Sequence, residues 1–335
     1  MEVWHHAIVH PITPTIFALH NKMNSEQRNL ISAPIWRMVL KVSALLLTVA
    51  AIVLVIFLVS GILAKSKTTL VLEPSARLVI MGHSHPECAF VDSMSPSLVN
   101  LAQSGESYFY TYQKLKALLP NNGQITDIYV EFTNNQIDQE MDDWIWSDKY
   151  MSHRFPMYAP FLSFQDACLL AVKNPKCFLL SFTLSIKENV LKCVSSGSRD
   201  LARFGGYNGL QSSIEFNGGV RFNAVELNSG LEEESDISFK NIFYLEKMVT
   251  LCSTFNVQLH LMRSPQHAGY KKTNEETYQQ IRKERFATVS YLDFGDMQLA
   301  DSLFADTEHL NINGGQYFTR YFLETVYPDG KKTGS

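Results

Sequence analysis

The feature that most constrains this chain is a stretch without charge. From Val42 to Ala64 no residue is ionisable, and the core of the run reads ALLLTVAAIVLVIFLVSGILA. These 23 residues exceed the ~20 that a helix needs to cross ~30 Å of hydrocarbon. A core helix of a soluble domain would show a polar face along such a length, and this run has none. A cleaved signal has a shorter apolar stretch nearer the N-terminus. The sequence therefore predicts a single-pass anchor through residues 42–64, with the lipid bilayer as its first partner. Arg28, Arg37 and Lys41 precede it and Lys65, Lys67 and Arg77 follow it, so flanking charge alone does not orient it. An N-terminus-inside orientation is expected, placing the following domain outside the cytoplasm, on the periplasmic side of an inner membrane. Met38 opens a second basic-then-apolar start (MVLKVSALLL), so residues 1–37 are either a short tail or an extension ahead of the true start.

Behind the anchor the composition is that of a folded protein. Apolar residues make up 46% of the 335 and charged residues 19%, with 21 Phe and 14 Tyr, which excludes a disordered chain. The balance of 29 basic against 33 acidic side chains gives no positive field to attract nucleic acid. No solenoid or propeller period recurs. The cysteines, Cys88, Cys168, Cys177, Cys193 and Cys252, match no metal-binding spacing. Scattered buried thiols are expected, with one bridge among Cys168, Cys177 and Cys193 as the alternative.

After a polar stalk, 65–77, short apolar runs alternate with helical patterns. Leu78–Met81, the LVNLA segment within Ser97–Ala102, Ile125–Phe132, Val257–Met262 and Val289–Asp293 read as strands. Tyr108–Leu119, Ile237–Phe255, Glu275–Phe286 and Gly314–Val326 read as helices. Strands separated by helices of this length imply an α/β fold, a parallel sheet covered on both faces. Ligands then bind beyond the carboxyl ends of the strands. Residues ~136–235 break the rhythm and read as a largely helical insertion. They carry Trp144, Trp146, an aromatic loop (HRFPMYAPFLSF), a helical stretch Phe164–Val194 and a Gly/Asn/Ser-rich run from Ser195 to Gly230. The insertion is expected either to cap the site, its Phe155, Tyr158 and Phe161 offering stacking surfaces, or to act as a helical buttress or interfacial segment. The expected division is a tail, 1–41; the span, 42–64; the stalk, 65–77; the α/β domain, 78–327, with the insertion; and a tail, 328–335.

Four places sit at strand ends: Gly82-His83-Ser84-His85, Ser104-Gly105, Thr133-Asn134-Asn135, and Asp306-Thr-Glu-His309. A hydroxyl nucleophile needs a base, the base an orienting acid, and the developing oxyanion hydrogen-bond donors. Ser84, His309, Asp306 and the pair Gly105/Asn134 supply those types. Each alone is an ordinary turn or cap signal; their joint order is what points to chemistry.

That order resembles the SGNH (GDSL-like) hydrolases, whose four blocks carry Ser, Gly, Asn and His. MGHSH, NLAQSGES, VEFTNN and DTEHLNINGG are the matching segments, covering roughly 78–135 and 237–327. The resemblance is closest to membrane-anchored relatives that act on cell-envelope polysaccharides or their acyl groups. It implies a three-layer, flavodoxin-like α/β fold. It also implies Ser84 as nucleophile, His309 as base and Asp306 as its orienter, with an oxyanion hole from the N–H groups of Ser84 and Gly105 and the Asn134 amide. No cofactor and no metal are implied, and the expected substrate is an acylated carbohydrate or other ester, cleaved or transferred. The sequence departs from the pattern at His83, where Asp is usual, at Phe132, where Gly is usual, and at Asn135, where Asp is common. His83 and His85 beside Ser84 are expected to tune the site or touch substrate. Two alternatives stay open: a binding or assembly protein that keeps the fold without turnover, and a metal-dependent phosphoesterase. The latter is suggested by the resemblance of GHSH to a closing GHxH motif, but its early DxH, GDxxD and GNH[DE] partners are missing from the chain.

Overall fold

Leu78–Met81 (β1) is a run of four apolar side chains with none of its surface exposed. Successive strand residues face opposite ways, so a strand buried throughout must be covered on both faces. Asp127–Glu131 (β3) is buried likewise. The computed structural model, which describes residues 25–67, 70–194, 201–214 and 237–328, places these two strands side by side. Leu78 pairs with Asp127 and Met81 with Val130. Leu98–Asn100 (β2) flanks β1, Gln258–Arg263 (β4) flanks β3, and Ser290–Asp293 (β5) closes the far edge. All pairings are parallel and the order is β2-β1-β3-β4-β5. The chain leaves β1 for one edge and then returns past it to β3. The order therefore reverses at the carboxyl ends of β1 and β3, where a crevice forms in open α/β sheets.

The connections are helical, as parallel pairing requires. Ser84–Ala89 (α2) follows β1, Tyr108–Leu118 (α3) follows β2, Phe239–Thr254 (α8) precedes β4, Glu275–Arg285 (α9) joins β4 to β5, and Ile312–Thr325 (α10) ends the fold. On one face, Leu78, Ile80, Leu98, Tyr129 and Met262 pack with Phe90, Phe318 and Phe322. The ring of Phe90 meets those of Phe318 and Phe322 edge-on at 5.2 and 5.0 Å. Helices α3 and α8 pack on each other and α8 on β4. The Asn241 side chain of α8 accepts from the Tyr108 N–H (2.8 Å), capping α3 from a distance of 133 residues.

The insertion is helical as expected, with one correction. The segment read as an aromatic loop is the end of a helix, Asp148–Tyr158, followed by a 3₁₀ turn at Ala159–Phe161. Met151, Phe155 and Tyr158 recur at helical spacing and are buried, so packing outweighs Pro156 inside the helix. Phe155, Tyr158 and Phe161 are thus core residues and not a stacking surface. The insertion comprises Met141–Trp146 (α4), Asp148–Tyr158 (α5), Phe164–Lys173 (α6) and Pro175–Val194 (α7). The break between α6 and α7 falls at Asn174, ahead of Pro175. Most of the Ser195–Gly230 run lies outside the described residues.

Ahead of the sheet, Ser25–Lys67 (α1) is one helix, and its Pro34–Ser66 portion is long and apolar enough to cross a membrane. The chain divides into two compact units at Leu58/Val59, within the apolar run. The stretch read as a stalk is packed from residue 70 onward: Leu70, Leu72 and Ala76 are buried, and the Leu72 N–H donates to Asn122 (2.8 Å). All five cysteines are free thiols, so no bridge joins Cys168, Cys177 and Cys193.

Candidate active site

Strand β1 is followed by Gly82, whose φ of +143° suits glycine alone, and a Cβ there would lie 2.5 Å from the Glu131 Cβ. That close approach turns the chain at once into α2 and puts Ser84 on its first turn, half-buried at the switch point. The turn from Asp306 to His309 comes from the opposite end of the sequence. The Asp306 carboxylate accepts the N–H groups of Glu308 (2.7 Å) and His309 (2.8 Å), a local ring that fixes the turn. It also takes the imidazole: His309 Nδ1 lies 2.9 and 3.0 Å from the two Asp306 oxygens. With Nδ1–H donating there, Nε2 is the acceptor, and it lies 2.8 Å from Ser84 Oγ. Burial would raise the Asp306 pKa, but the His309 ring and the backbone N–H groups outweigh it and hold the carboxyl below its usual range. Residues 225 apart are thereby joined in one hydrogen-bonded chain.

The loop carrying Gly105 is tied to the same strand end. Gln103 N–H donates to the Gly82 carbonyl (2.9 Å). Glu87, three residues beyond Ser84, accepts from the hydroxyl of Ser104 and from its N–H (3.1 Å). Arg154 of α5 donates to Gln103 and to the Ser104 carbonyl (2.6 Å). Gly105 itself has φ +69°, and a Cβ would lie 2.8 Å from the Tyr150 ring. That ring stacks on Trp144 at 5.4 Å, and Trp144 lies 6.4 Å from the His83 ring. The insertion therefore reaches the predicted site through Trp144 and Tyr150.

Asn134 is oriented differently from what the resemblance implies. Its amide nitrogen donates to the Thr273 carbonyl (2.7 Å) and to Glu275 (2.8 Å). Both neighbours are acceptors, so the NH₂ must face them, and the buried Oδ1 has no partner. In this state neither Asn134 hydrogen is free for an oxyanion.

The two extra histidines carry opposite charge states. His83 is buried, and burial first, then His85 and His309, push its pKa well below the usual value. Thr133 gives its hydroxyl proton to Asn135 (2.6 Å), so it accepts from His83 Nε2–H (3.1 Å). His85 is 2% exposed and lies between two carboxylates, Glu131 and Glu308, each at 3.7 Å. Burial opposes its charge, yet the two carboxylates prevail and raise its pKa to about 9. Its ring stands 5.3 Å from that of His309. Donor atoms of His83, His85 and Glu131 lie within 4.8 Å of one another, as do those of His85, Glu308 and His309. Among the described residues these two groups have the geometry to hold a metal ion, and either would require His85 to give up its proton, because an imidazolium has no lone pair to offer. Glu131 and Glu308 escaped the sequence reading, although a carboxylate ending a wholly buried strand is itself a signal. Glu131 is held by the N–H (2.9 Å) and hydroxyl (2.7 Å) of Ser264.

No curated protein matches the chain. A family model that carries no functional description matches residues 219–329. Among solved structures, the chain is similar to a protein of Bacteroides fragilis named as a candidate acylhydrolase, at 10% identity and a TM-score of 0.35, covering 75% of this chain and 86% of that one.

Proposed function

We propose that this protein is a membrane-anchored serine hydrolase or acyl-transfer enzyme of the SGNH type, acting outside the cytoplasm on acylated cell-envelope glycans or related esters. The observation that carries the reading is the continuous hydrogen-bonded chain Ser84–His309–Asp306 at the switch point of the sheet. In the reaction, Ser84 Oγ attacks the acyl carbonyl carbon and its proton passes to His309 Nε2. The oxyanion is met by the backbone N–H groups of Ser84 and Gly105. Collapse expels the alkoxide, which takes the proton from His309 and leaves the acyl group on Ser84. Water, or an acceptor hydroxyl, then repeats the sequence in reverse, with His309 again as base. Asp306 holds the ring in the tautomer that both steps need. The half-exposed Trp144 and Tyr150 offer an apolar face for a sugar ring.

One observation favours a second reading, a binding or assembly protein without turnover: the Asn134 amide is already engaged. Ester turnover separates the two. Ser84→Ala and His309→Ala should each lower kcat at least ~10³-fold, and the double variant should be no worse than either single one, because the pair acts as a unit. A folded Ser84→Ala protein with wild-type turnover would contradict the enzyme reading. Wild-type protein inert towards every acyl ester offered would favour binding.

A further inference from the structure

Helix α7 is inside out. Its buried positions, Cys177, Ser181, Ser185 and Asn189, recur every fourth residue and are polar or small, while Leu179, Leu180, Val190 and Leu191 are exposed. A helix folded onto a water-soluble domain shows the reverse pattern. The polar stripe faces the domain: Cys177 Sγ donates to the Asp148 carbonyl of α5 (3.8 Å), and Phe178 meets Phe155 at 5.2 Å. On the neighbouring α6, Phe164 is 84% and Val172 81% exposed. Exposed apolar side chains thus run over two adjacent helices, where scattered single ones would need no explanation.

Position and charge indicate what covers them. The C-terminal end of α7 is pinned to the last turns of the apolar helix α1. Cys193 Sγ approaches the Ser60 carbonyl (3.9 Å), Asn189 lies against Gly61, and Ala64 is fully buried. Both amide atoms of Asn189 lack a hydrogen-bond partner there. Lys173, Lys176, Lys187 and Lys192 are spread along α6 and α7, against two acids, the buried Asp166 of α6 and Glu188 of α7, which pairs with Arg203 (3.1 Å). Charges at that spacing prevent a 20-residue helix from crossing a bilayer but suit one lying in its surface, with lysines reaching the headgroups.

We propose that the outer faces of α6 and α7 lie on the phospholipid surface beside the anchor, so that the insertion is a second, interfacial membrane contact. The proposal rests on the reading of residues 42–64 as a membrane span. Nitroxide labels on Leu180→Cys, Leu191→Cys, Leu47→Cys and Lys283→Cys, each in the full chain reconstituted into phosphatidylcholine–phosphatidylglycerol vesicles, test both. Labelled wild-type protein gives the background from native thiols. Collision with oxygen, enriched in lipid, is compared with collision with a water-soluble nickel chelate. Positions 180 and 191 should favour oxygen severalfold, as 47 should, whereas 283 favours nickel. Nickel access at 180 and 191 with oxygen preference at 47 would overturn the proposal and leave the span intact. Shielding of 180 and 191 from both reagents would overturn it in favour of a protein partner or a second copy. Nickel access at 47 would overturn the span and the proposal together.

Discussion

At the scale of single residues, two histidines beside Ser84 take opposite protonation states because their partners differ. His83 has a hydroxyl for company and is neutral, while His85 has two carboxylates and is charged. Because His85 binds its proton more tightly folded than unfolded, its contribution to stability is complete below its ordinary value of 6.5 and is lost as pH rises through about 9. His83 acts in the other direction, its contribution being lost as pH falls below 6.5. Melting temperatures recorded from pH 6.5 to 9 should therefore fall more steeply for the wild type than for His85→Gln. Parallel slopes would contradict a charged His85. The types and order of Ser84, Asp306 and His309 were legible in the sequence because each sits at the end of a readable strand or turn. The commitments of Asn134 were not, since Thr273 and Glu275 come from the start of α9, some 140 residues further on. Nor was the ion pairing of His85, whose two partners lie on different segments.

At the scale of elements, the loop bearing Gly105 is held by a buried cluster. Glu106, wholly inaccessible, pairs with Lys114 of α3 (2.9 Å) and Arg154 of α5 (3.2 Å) and accepts from Thr111 (2.9 Å) and Tyr158 (3.2 Å). This cluster joins the insertion to the loop that the mechanism uses for its oxyanion. Removing the carboxylate strands two buried cations, so Glu106→Ala should cost about 3–5 kcal/mol in denaturant unfolding. A loss under about 1 kcal/mol would show that the cluster is not the fastener described. The strands and outer helices could be read from apolar runs and caps to within a few residues. Helix α5 could not: Pro156 and Pro160 signal a loop locally, and only the burial of Met151, Phe155 and Tyr158 against the domain reverses that preference. Helix α7 read only as part of one helical stretch, Phe164–Val194, because a sequence pattern gives a helix two faces without saying which one the domain takes.

At the scale of the whole molecule, a five-stranded parallel sheet brings a serine from just beyond the first strand and a histidine from the turn before the last helix into one crevice. The parallel architecture was predictable because it follows from alternation alone, whereas the strand order β2-β1-β3-β4-β5, and with it the switch point, depends on pairings between distant segments. The proposed chemistry turns on Ser84 as a nucleophile activated by His309. The most direct test treats the full chain with a fluorophosphonate and locates the adduct by peptide mass. One adduct is expected, on Ser84, formed in the wild type and lost in His309→Ala. An adduct on another residue, or ester turnover with Ser84 left unmodified, would contradict it.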